Sequence, residues 1–223
     1  MIDDRKNPCL NPIFQKTERD WMPLTLPLFI VFEGIDGSGK TTLAERIHAR
    51  YASLLPSVLL AEPTSGARGT EIRALLKRRP PAPVSDLLEL FILDREEDVR
   101  RNIVPALAAG KMVVMDRYYF SNAAYQGTGD IAPADIVAMN RERGFPAPHR
   151  VYLVDLDPAE ALGRVEKRNP EKDIFENRRF LEKVRENYRA LADGTFRVLD
   201  GRLDPGSLER AVTDDLERTF KAR

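Results

Sequence analysis

Short apolar runs alternate along the chain with longer segments in which apolar residues recur every three or four positions. The runs predict strands, since a short continuous apolar run is typical of a strand buried on both faces; they lie at 28–33, 57–61, 112–116, 151–156 and 196–200. The segments between them predict helices at about 70–78, 85–109, 158–168, 177–192 and 207–220. This alternation favours an α/β fold of three layers, a five-stranded parallel sheet with helices on both faces.

Several residues mark where these helices begin, bend or end. Ser85 is predicted to cap the N-terminus of the long helix, and Pro105 to kink its last part. Gly110 is predicted to follow the C-terminus of that helix. Ser207 is predicted to open the final helix.

A glycine-rich motif directly follows the first predicted strand. Residues 34–41 read Gly-Ile-Asp-Gly-Ser-Gly-Lys-Thr and match the phosphate-binding P-loop pattern G-x-x-x-x-G-K-[ST]. Its glycines let backbone N–H groups surround a polyphosphate, and the following helix adds partial positive charge. Lys40 is predicted to reach the β- and γ-phosphates of ATP, and Thr41 to bind Mg²⁺. The motif therefore predicts a P-loop NTPase fold with ATP and Mg²⁺ as its ligands.

Composition narrows the possible partners and location. The chain of 223 residues carries 35 basic and 35 acidic side chains, so charge gives no argument for nucleic acid or an anionic membrane as a partner. The single Cys9 excludes an internal disulfide and is consistent with a reducing cytoplasm. No apolar run is long enough to span a bilayer. Residues 1–27 lack the apolar core of a signal peptide and are predicted to be a mobile extension before a single domain at 28–223.

The third predicted strand ends in Asp116-Arg117-Tyr118. An aspartate opposite a P-loop can hold Mg²⁺ through water, and an arginine beside it can bind a second phosphate with two hydrogen bonds. Arg117 could alternatively form an ordinary surface ion pair. The guanine-reading Asn-Lys-x-Asp of GTPase switches and the Asp-Glu strand end of motor ATPases are both absent from the sequence. The pattern favours an enzyme that joins a donor and an acceptor phosphate at one metal ion.

Taken together, these motifs resemble the thymidylate kinases over about residues 28–220. The resemblance rests on residues 32–42, on Glu62-Pro63-Thr64 with Arg73 downstream, on Phe91 with Arg95, and on residues 116–126. It implies a kinase that transfers the γ-phosphoryl group of ATP to dTMP and gives dTDP and ADP.

The resemblance also implies roles for the residues of the acceptor site. Asp36 would contact the 3′-hydroxyl of dTMP, and Arg117 would bind its phosphate. Phe91 would stack on the thymine ring, and Arg95 would hydrogen-bond the edge of the base. The remaining predicted pocket residues are Glu62, which faces the crevice, Arg73, which lies near the acceptor phosphate, Asn122 and Tyr125, which line the sugar and base pocket, and Gln126, which supports that pocket.

Three of these residues have simpler interpretations when taken alone. Phe91 lies on an apolar helix face, where a phenylalanine is more often part of the core. Arg95 stands in a charged segment that is typical of a solvated helix face. Arg73 could form an ion pair on an amphipathic helix.

On the ATP side, the predicted contacts are the P-loop and its neighbour: Gly34, Ile35, Asp36, Gly37, Ser38, Gly39, Lys40, Thr41 and Thr42. Residues 164–176 resemble the lid that closes over ATP in the family. Because this P-loop carries no arginine, the lid is expected to supply the catalytic one, and Arg164 and Arg168 are the candidates. Two positions depart from the family: Ile174 stands where many relatives have arginine, and Ala61 where bacterial relatives often have arginine.

The sequence thus predicts a cytoplasmic, Mg²⁺-dependent nucleoside monophosphate kinase, and the resemblance implies a homodimer. A kinase for another pyrimidine (deoxy)nucleotide such as dUMP remains open. Two other functions also remain open. One is a deoxynucleoside kinase, which does not bind an acceptor phosphate, and the other is a nucleotide-binding regulator without activity.

Overall fold

The structure is a computed structural model that describes residues 24–78, 83–166 and 174–221. Arg168, most of the predicted lid and residues 1–23 lie outside these ranges. Side-chain descriptions also leave out residue 84 and residues 174–177.

A five-stranded parallel sheet forms the middle layer, in the order β2-β3-β1-β4-β5. The strands are β1 (Leu28–Glu33), β2 (Ser57–Ala61), β3 (Met112–Asp116), β4 (Arg150–Asp155) and β5 (Phe196–Asp200). All of them were predicted, with β4 displaced by one residue. Every residue of β1 is buried because this strand lies in the centre of the sheet and both faces are covered.

Helices cover both faces of the sheet. They are α1 (Lys40–Ala52), α2 (Ala67–Leu76), α3 (Val84–Asp98), α4 (Val104–Ala108), α5 (Tyr119–Gln126), α6 (Pro133–Glu142), α7 (Pro158–Glu166), α8 (Ile174–Leu191) and α9 (Pro205–Phe220). Alternate side chains of β1 enter two separate cores, as the two-residue period of a strand requires. Phe29 and Val31 join the core beneath α3, α5, α6 and α8, while Leu28, Ile30 and Phe32 join the core beneath α1 and α9.

The predicted long helix at 85–109 is divided in the structure. A π-helical turn at Val99–Ile103 separates α3 from α4, and Pro105 stands at the start of α4, where its missing N–H removes a bond to the preceding turn. The predicted cap Ser85 is wrong, because the helix already begins at Val84 after Pro83. Gly110 follows α4 with a φ of 68°, the left-handed conformation that often ends a helix.

The start of the final helix also differs from the prediction. Helix α9 begins at Pro205 rather than Ser207. Its N-cap is Asp204, whose carboxylate accepts hydrogen bonds from the backbone N–H groups of Gly206 and Ser207. Ser207 instead donates its hydroxyl to the same carboxylate.

The described part of the predicted extension contacts the domain. Leu24 is buried and pairs with Lys221 in an antiparallel bridge. The N–H of Thr25 donates to the carbonyl of Phe220 at 2.6 Å. Within the described residues, packing against the domain already includes Leu24, which precedes the predicted boundary at residue 28. None of the helices within the described ranges has both the length and the apolar character needed to cross a bilayer.

Candidate active site

The predicted site residues meet beyond the carboxyl ends of two neighbouring strands. Strands β1 and β3 pair in parallel, with Phe32 opposite Asp116. The P-loop therefore leaves the sheet beside Asp116 and Arg117. Crevices at this edge of an open α/β sheet are the usual ligand sites of such folds.

The P-loop has a backbone that only glycine can adopt without strain. Gly34, Gly37 and Gly39 have φ angles of 144°, 86° and 96°. A Cβ at Gly37 would lie 2.4 Å from the carbonyl oxygen of Ala161, and one at Gly34 would lie 2.6 Å from that of Val154. Helix α1 begins at Lys40, directly after this loop, so its N-terminal N–H groups face the same crevice.

Lys40 is buried in the P-loop. Its Nζ donates to the carbonyl oxygen of Ile35 at 3.4 Å and lies 3.6 Å from the Asp36 carboxylate. Burial lowers the pKa of Lys40 to about 8, against the opposing attraction of nearby carboxylates. The amine is therefore still mainly charged at neutral pH, but it titrates within an accessible range.

Thr41 and Asp116 lie together at the foot of the P-loop. The Thr41 hydroxyl donates to Asp116 Oδ2 at 2.6 Å. The other oxygen of this carboxylate, Oδ1, is buried and has no hydrogen-bond partner in the described part of the chain. A hydroxyl and a carboxylate oxygen suit Mg²⁺, which takes oxygen ligands and retains water and phosphate oxygens. No cluster of three or more His, Cys, Asp or Glu that could hold a metal by itself occurs among the described residues.

Arg117 lies across the mouth of the P-loop. Its backbone has a φ of 70°, which is rare for a residue with a side chain. The guanidinium forms an ion pair with Asp36 and donates to the carbonyl oxygen of Gly34 at 3.2 Å. It also lies 5.3 Å from the ring centre of Tyr125. Arg117 is thus mostly buried beside the P-loop, and its ion pair is with Asp36 of that loop.

Arg95 on α3 is the largest fully buried side chain of the described chain, with 1% of its surface exposed. Glu62 accepts from its Nε at 2.9 Å and from its Nη2 at 2.5 Å, and Asn140 Oδ1 accepts from its Nη1 at 2.7 Å. The guanidinium lies 5.3 Å from the ring centre of Tyr118. The alternative of a solvated helix face is therefore wrong for Arg95, although its neighbour Glu96 is exposed.

Phe91 lies one helical turn before Arg95 on α3, so the two side chains share one face. Phe91 is half-buried and belongs to neither core of the described residues. The aromatic face of Phe91 can stack on a base. Contact of Arg95 with the base edge stays a prediction, because its guanidinium is buried against Glu62 and Asn140.

Glu62 is oriented toward Arg95. It is buried, and burial raises the pKa of this carboxylate despite the opposing charge of Arg95. This ion pair makes Glu62 a support of the predicted base-reading arginine.

Two further residues hold the loop that follows Glu62. The carboxylate of Asp94 accepts from the N–H of Thr64 at 2.7 Å and from its hydroxyl at 2.6 Å. Arg73 donates to the carbonyl oxygen of Pro63 at 2.9 Å and to the hydroxyl of Thr70 at 3.3 Å. Arg73, which was predicted to lie near the phosphate of the acceptor nucleotide, thus lies beside the loop at 62–64.

Helix α5 supplies the remaining predicted acceptor residues. Asn122 donates to Gln126 Oε1 at 2.7 Å, and its own Oδ1 is buried with no partner in the described part of the chain. The hydroxyl of Tyr125 accepts from the N–H of Asp36 at 3.2 Å, which ties α5 to the P-loop. Tyr125 therefore lies beside the P-loop and Arg117, whereas Asn122 and Gln126 are buried and bond to each other.

Arg164 lies on the opposite, outer side of the P-loop. Its Nη2 donates to the carbonyl oxygen of Gly201 at 3.0 Å. It lines a cavity of about 470 Å³ with the P-loop, the segment 201–205 and Leu208. The other predicted lid residue, Arg168, lies outside the described residues.

Sequence reasoning missed several residues that support the site. Asp94 and Asn140 are buried and bind site residues distant in sequence. Ser121 and Tyr188 contact Arg117. The charged pattern around Asp94 and Arg95 is typical of an exposed helix face, so nothing in the sequence indicates that both are buried. Nor does it indicate that Arg95 binds Asn140, which lies 45 residues away.

Comparison with known proteins matches this chain to one family. The family model described as thymidylate kinase matches residues 32–212. The thymidylate kinase of Leptospira borgpetersenii serovar Hardjo-bovis is 37% identical over 204 residues, which are 91% of this chain and 99% of that protein. A probable thymidylate kinase of Archaeoglobus fulgidus is 43% identical over 178 residues, which are 78% and 86% of the two chains. Because the family match covers most of its length, this chain belongs to the thymidylate kinase family.

Proposed function

We propose that this chain transfers the γ-phosphoryl group of ATP to dTMP, giving dTDP and ADP. The observation that carries the proposal is the position of Arg117, which lies against Asp36 of the P-loop and faces the crevice beside the Thr41–Asp116 pair. A second phosphate held there would lie next to the triphosphate of ATP. The aromatic and guanidinium pair on α3 supports a pyrimidine base as the other end of the acceptor.

The reaction needs positioning more than acid–base chemistry. The acceptor is an ionised phosphate, so no side chain has to remove a proton from it. The P-loop N–H groups and Lys40 would bind the β- and γ-phosphates, and Arg117 would orient the acceptor phosphate for in-line attack. Asp36 would accept a hydrogen bond from the 3′-hydroxyl of the acceptor.

Thr41 and, through water, Asp116 would hold Mg²⁺, and the ion would supply charge neutralisation for the transferring phosphoryl group. The cavity beside the P-loop has the size of a small-molecule site and would take the base and ribose of ATP, with Arg164 in its wall. Arg168, in the predicted lid, stays a candidate for neutralising charge in the transition state.

We also propose that the protein is a cytoplasmic homodimer, as the family resemblance implies. Light scattering on the purified protein should give twice the mass of the chain. A mass of one chain at micromolar concentration would contradict the dimer and leave the reaction unaffected.

The proposed reaction is tested by an acceptor panel. ADP release would be followed with ATP and Mg²⁺ in the presence of dTMP, dUMP, dCMP, dGMP, UMP or thymidine. We expect turnover with dTMP well above that with the others. Preference for dUMP would indicate another pyrimidine nucleotide as substrate, turnover only with thymidine would indicate a nucleoside kinase, and no turnover with any acceptor would favour a regulator.

A further inference from the structure

A buried carboxylate stands between the P-loop strand and the helix that carries the acceptor-site residues. Glu33, the last residue of β1, is fully buried. It accepts hydrogen bonds from the N–H of Tyr118 at 2.9 Å and from the N–H of Ser121 at 3.1 Å. It also accepts from the hydroxyl of Ser121 at 2.5 Å and from that of Tyr188 at 3.0 Å. Burial raises the pKa of Glu33. A buried carboxylate with this many donors is costly to form and rigid once formed.

The same hydroxyl groups contact Arg117. Ser121 Oγ accepts from Arg117 Nη1 at 2.9 Å, and the Tyr188 hydroxyl lies 3.5 Å from the same nitrogen. The hydroxyls of Ser121 and Tyr188 lie 2.8 Å apart. Glu33 is therefore connected to the guanidinium through the hydroxyls of Ser121 and Tyr188.

The elements involved come from three parts of the chain. Glu33 ends β1, Ser121 lies in the first turn of α5, and Tyr188 lies on α8. The Tyr188 ring is buried in the core beneath α5 and α8, so its hydroxyl is held at a fixed place. One Arg117 nitrogen, Nη1, faces these groups, whereas Nη2 faces Asp36 in the crevice.

We propose that Glu33, Ser121 and Tyr188 are positioning residues that orient the Arg117 guanidinium toward the acceptor phosphate. This inference rests on the proposed function, since it takes Arg117 to be the residue that binds that phosphate. With Nη1 fixed by the buried hydroxyls, the rest of the guanidinium projects into the crevice with little rotamer freedom to lose on binding.

The test compares two ligands that differ only in the phosphate. The dissociation constants of dTMP and thymidine would be measured by calorimetry for the wild type and for Ser121→Ala and Tyr188→Phe. The ratio of the thymidine constant to the dTMP constant reports what the phosphate contributes to binding. Both variants remove a hydroxyl and leave the buried packing nearly unchanged.

We expect the ratio to fall about tenfold in Ser121→Ala, which loses the direct contact, and about threefold in Tyr188→Phe. Thymidine binding itself should stay within about twofold of the wild type. Ser121→Thr, which keeps a hydroxyl, should restore most of the ratio.

Tyr152→Phe is the matched control. The Tyr152 hydroxyl donates to the buried carboxylate of Asp215 at 3.0 Å, in the core on the other face of the sheet. Its loss should lower the thermal midpoint about as much as Tyr188→Phe and leave the ligand ratio unchanged.

An unchanged ratio in both site variants would overturn the inference, as would equal losses of dTMP and thymidine affinity, which are the signature of a general structural role. A wild-type protein that binds dTMP no more tightly than thymidine would instead overturn the proposed function. The wild-type measurement thus separates the two failures.

Discussion

At the scale of single residues, three cations of the candidate site have carboxylate partners within it. Lys40 and Arg117 share Asp36, and Arg95 is paired with Glu62. A buried cation without a partner would be strongly destabilising. The P-loop residues could be predicted from the sequence because their spacing is itself the motif. The Glu62–Arg95 pair could not, because the two residues are 33 positions apart and nothing in their local patterns connects them.

Burial of Lys40 leads to a prediction about pH. Its lowered pKa of about 8 means that the amine is charged below this pH and neutral above it. Triphosphate binding surrounds the amine with anions and raises its pKa again. ATP binding should therefore take up a proton near pH 9 but not near pH 7.

Calorimetry in two buffers of different ionisation enthalpy measures this uptake. At about pH 9 the observed binding enthalpy should differ between the buffers, and at about pH 7 it should agree. Identical enthalpies in both buffers at the higher pH would show that Lys40 does not change protonation.

Substitution of Phe91 tests whether its ring stacks on the base or belongs to the core. Phe91→Ala should weaken dTMP and thymidine binding by about 1–3 kcal/mol, the value of one base–aromatic stack. The KM for ATP should not change. Since the ring is half-buried, the free energy of unfolding should fall by clearly less than the roughly 3–5 kcal/mol of a core Phe→Ala substitution. A core-sized loss of stability with unchanged dTMP affinity would restore the core interpretation of Phe91.

At the scale of elements, two helices that carry site residues, α5 and α6, were absent from the sequence-based prediction. Their burial patterns explain why. In α5, six of the eight residues are buried, so no polar face marks the helix. In α6, a buried polar residue, Asn140, occupies part of the inward face and hides the apolar stripe. The three inner strands, β1, β3 and β4, were predicted well because a central parallel strand is apolar on both faces.

Asn140 on α6 helps to position Arg95. Its Nδ2 donates to the carbonyl oxygen of Ile136 at 2.7 Å, which fixes the amide so that Oδ1 faces Arg95. Asn140→Leu should therefore weaken binding of dTMP and thymidine by the same factor, about fivefold to tenfold, because Arg95 serves the base and not the phosphate.

The conservative variant Asn140→Asp retains an acceptor for Arg95 and should recover most of this affinity. The KM for ATP should stay unchanged in both variants. A selective loss of dTMP over thymidine affinity would contradict the assignment of Arg95 to the base.

The N-cap of α9 predicts a purely structural effect. Asp204→Ala removes the acceptor for two N–H groups of the first turn and should lower the free energy of unfolding by about 1 kcal/mol. Asp214→Ala, at an exposed position within the same helix, is the control and should change stability by less than about 0.5 kcal/mol. Denaturant unfolding measures both. Equal effects of the two substitutions would show that the cap contributes nothing.

At the scale of the whole molecule, the order of the strands brings the ATP site and the acceptor site to the same edge of the sheet. With β3 beside β1, the residues that follow these two strands must meet, and the P-loop and Arg117 are those residues. The sequence alone predicts the parallel α/β architecture, but not which strands are neighbours, because strand order depends on contacts between distant segments. The family resemblance supplied the grouping of site residues that the patterns alone did not.

The most direct test of this account follows the γ-phosphoryl group itself. Enzyme, Mg²⁺, dTMP and ATP labelled at the γ-phosphate would be incubated, and the products separated. The account predicts label in dTDP, with little in inorganic phosphate, and loss of transfer in Lys40→Ala. Label that appears only in inorganic phosphate, or no transfer to dTMP at all, would contradict the claim that the γ-phosphoryl group of ATP is transferred in this crevice to a nucleoside monophosphate.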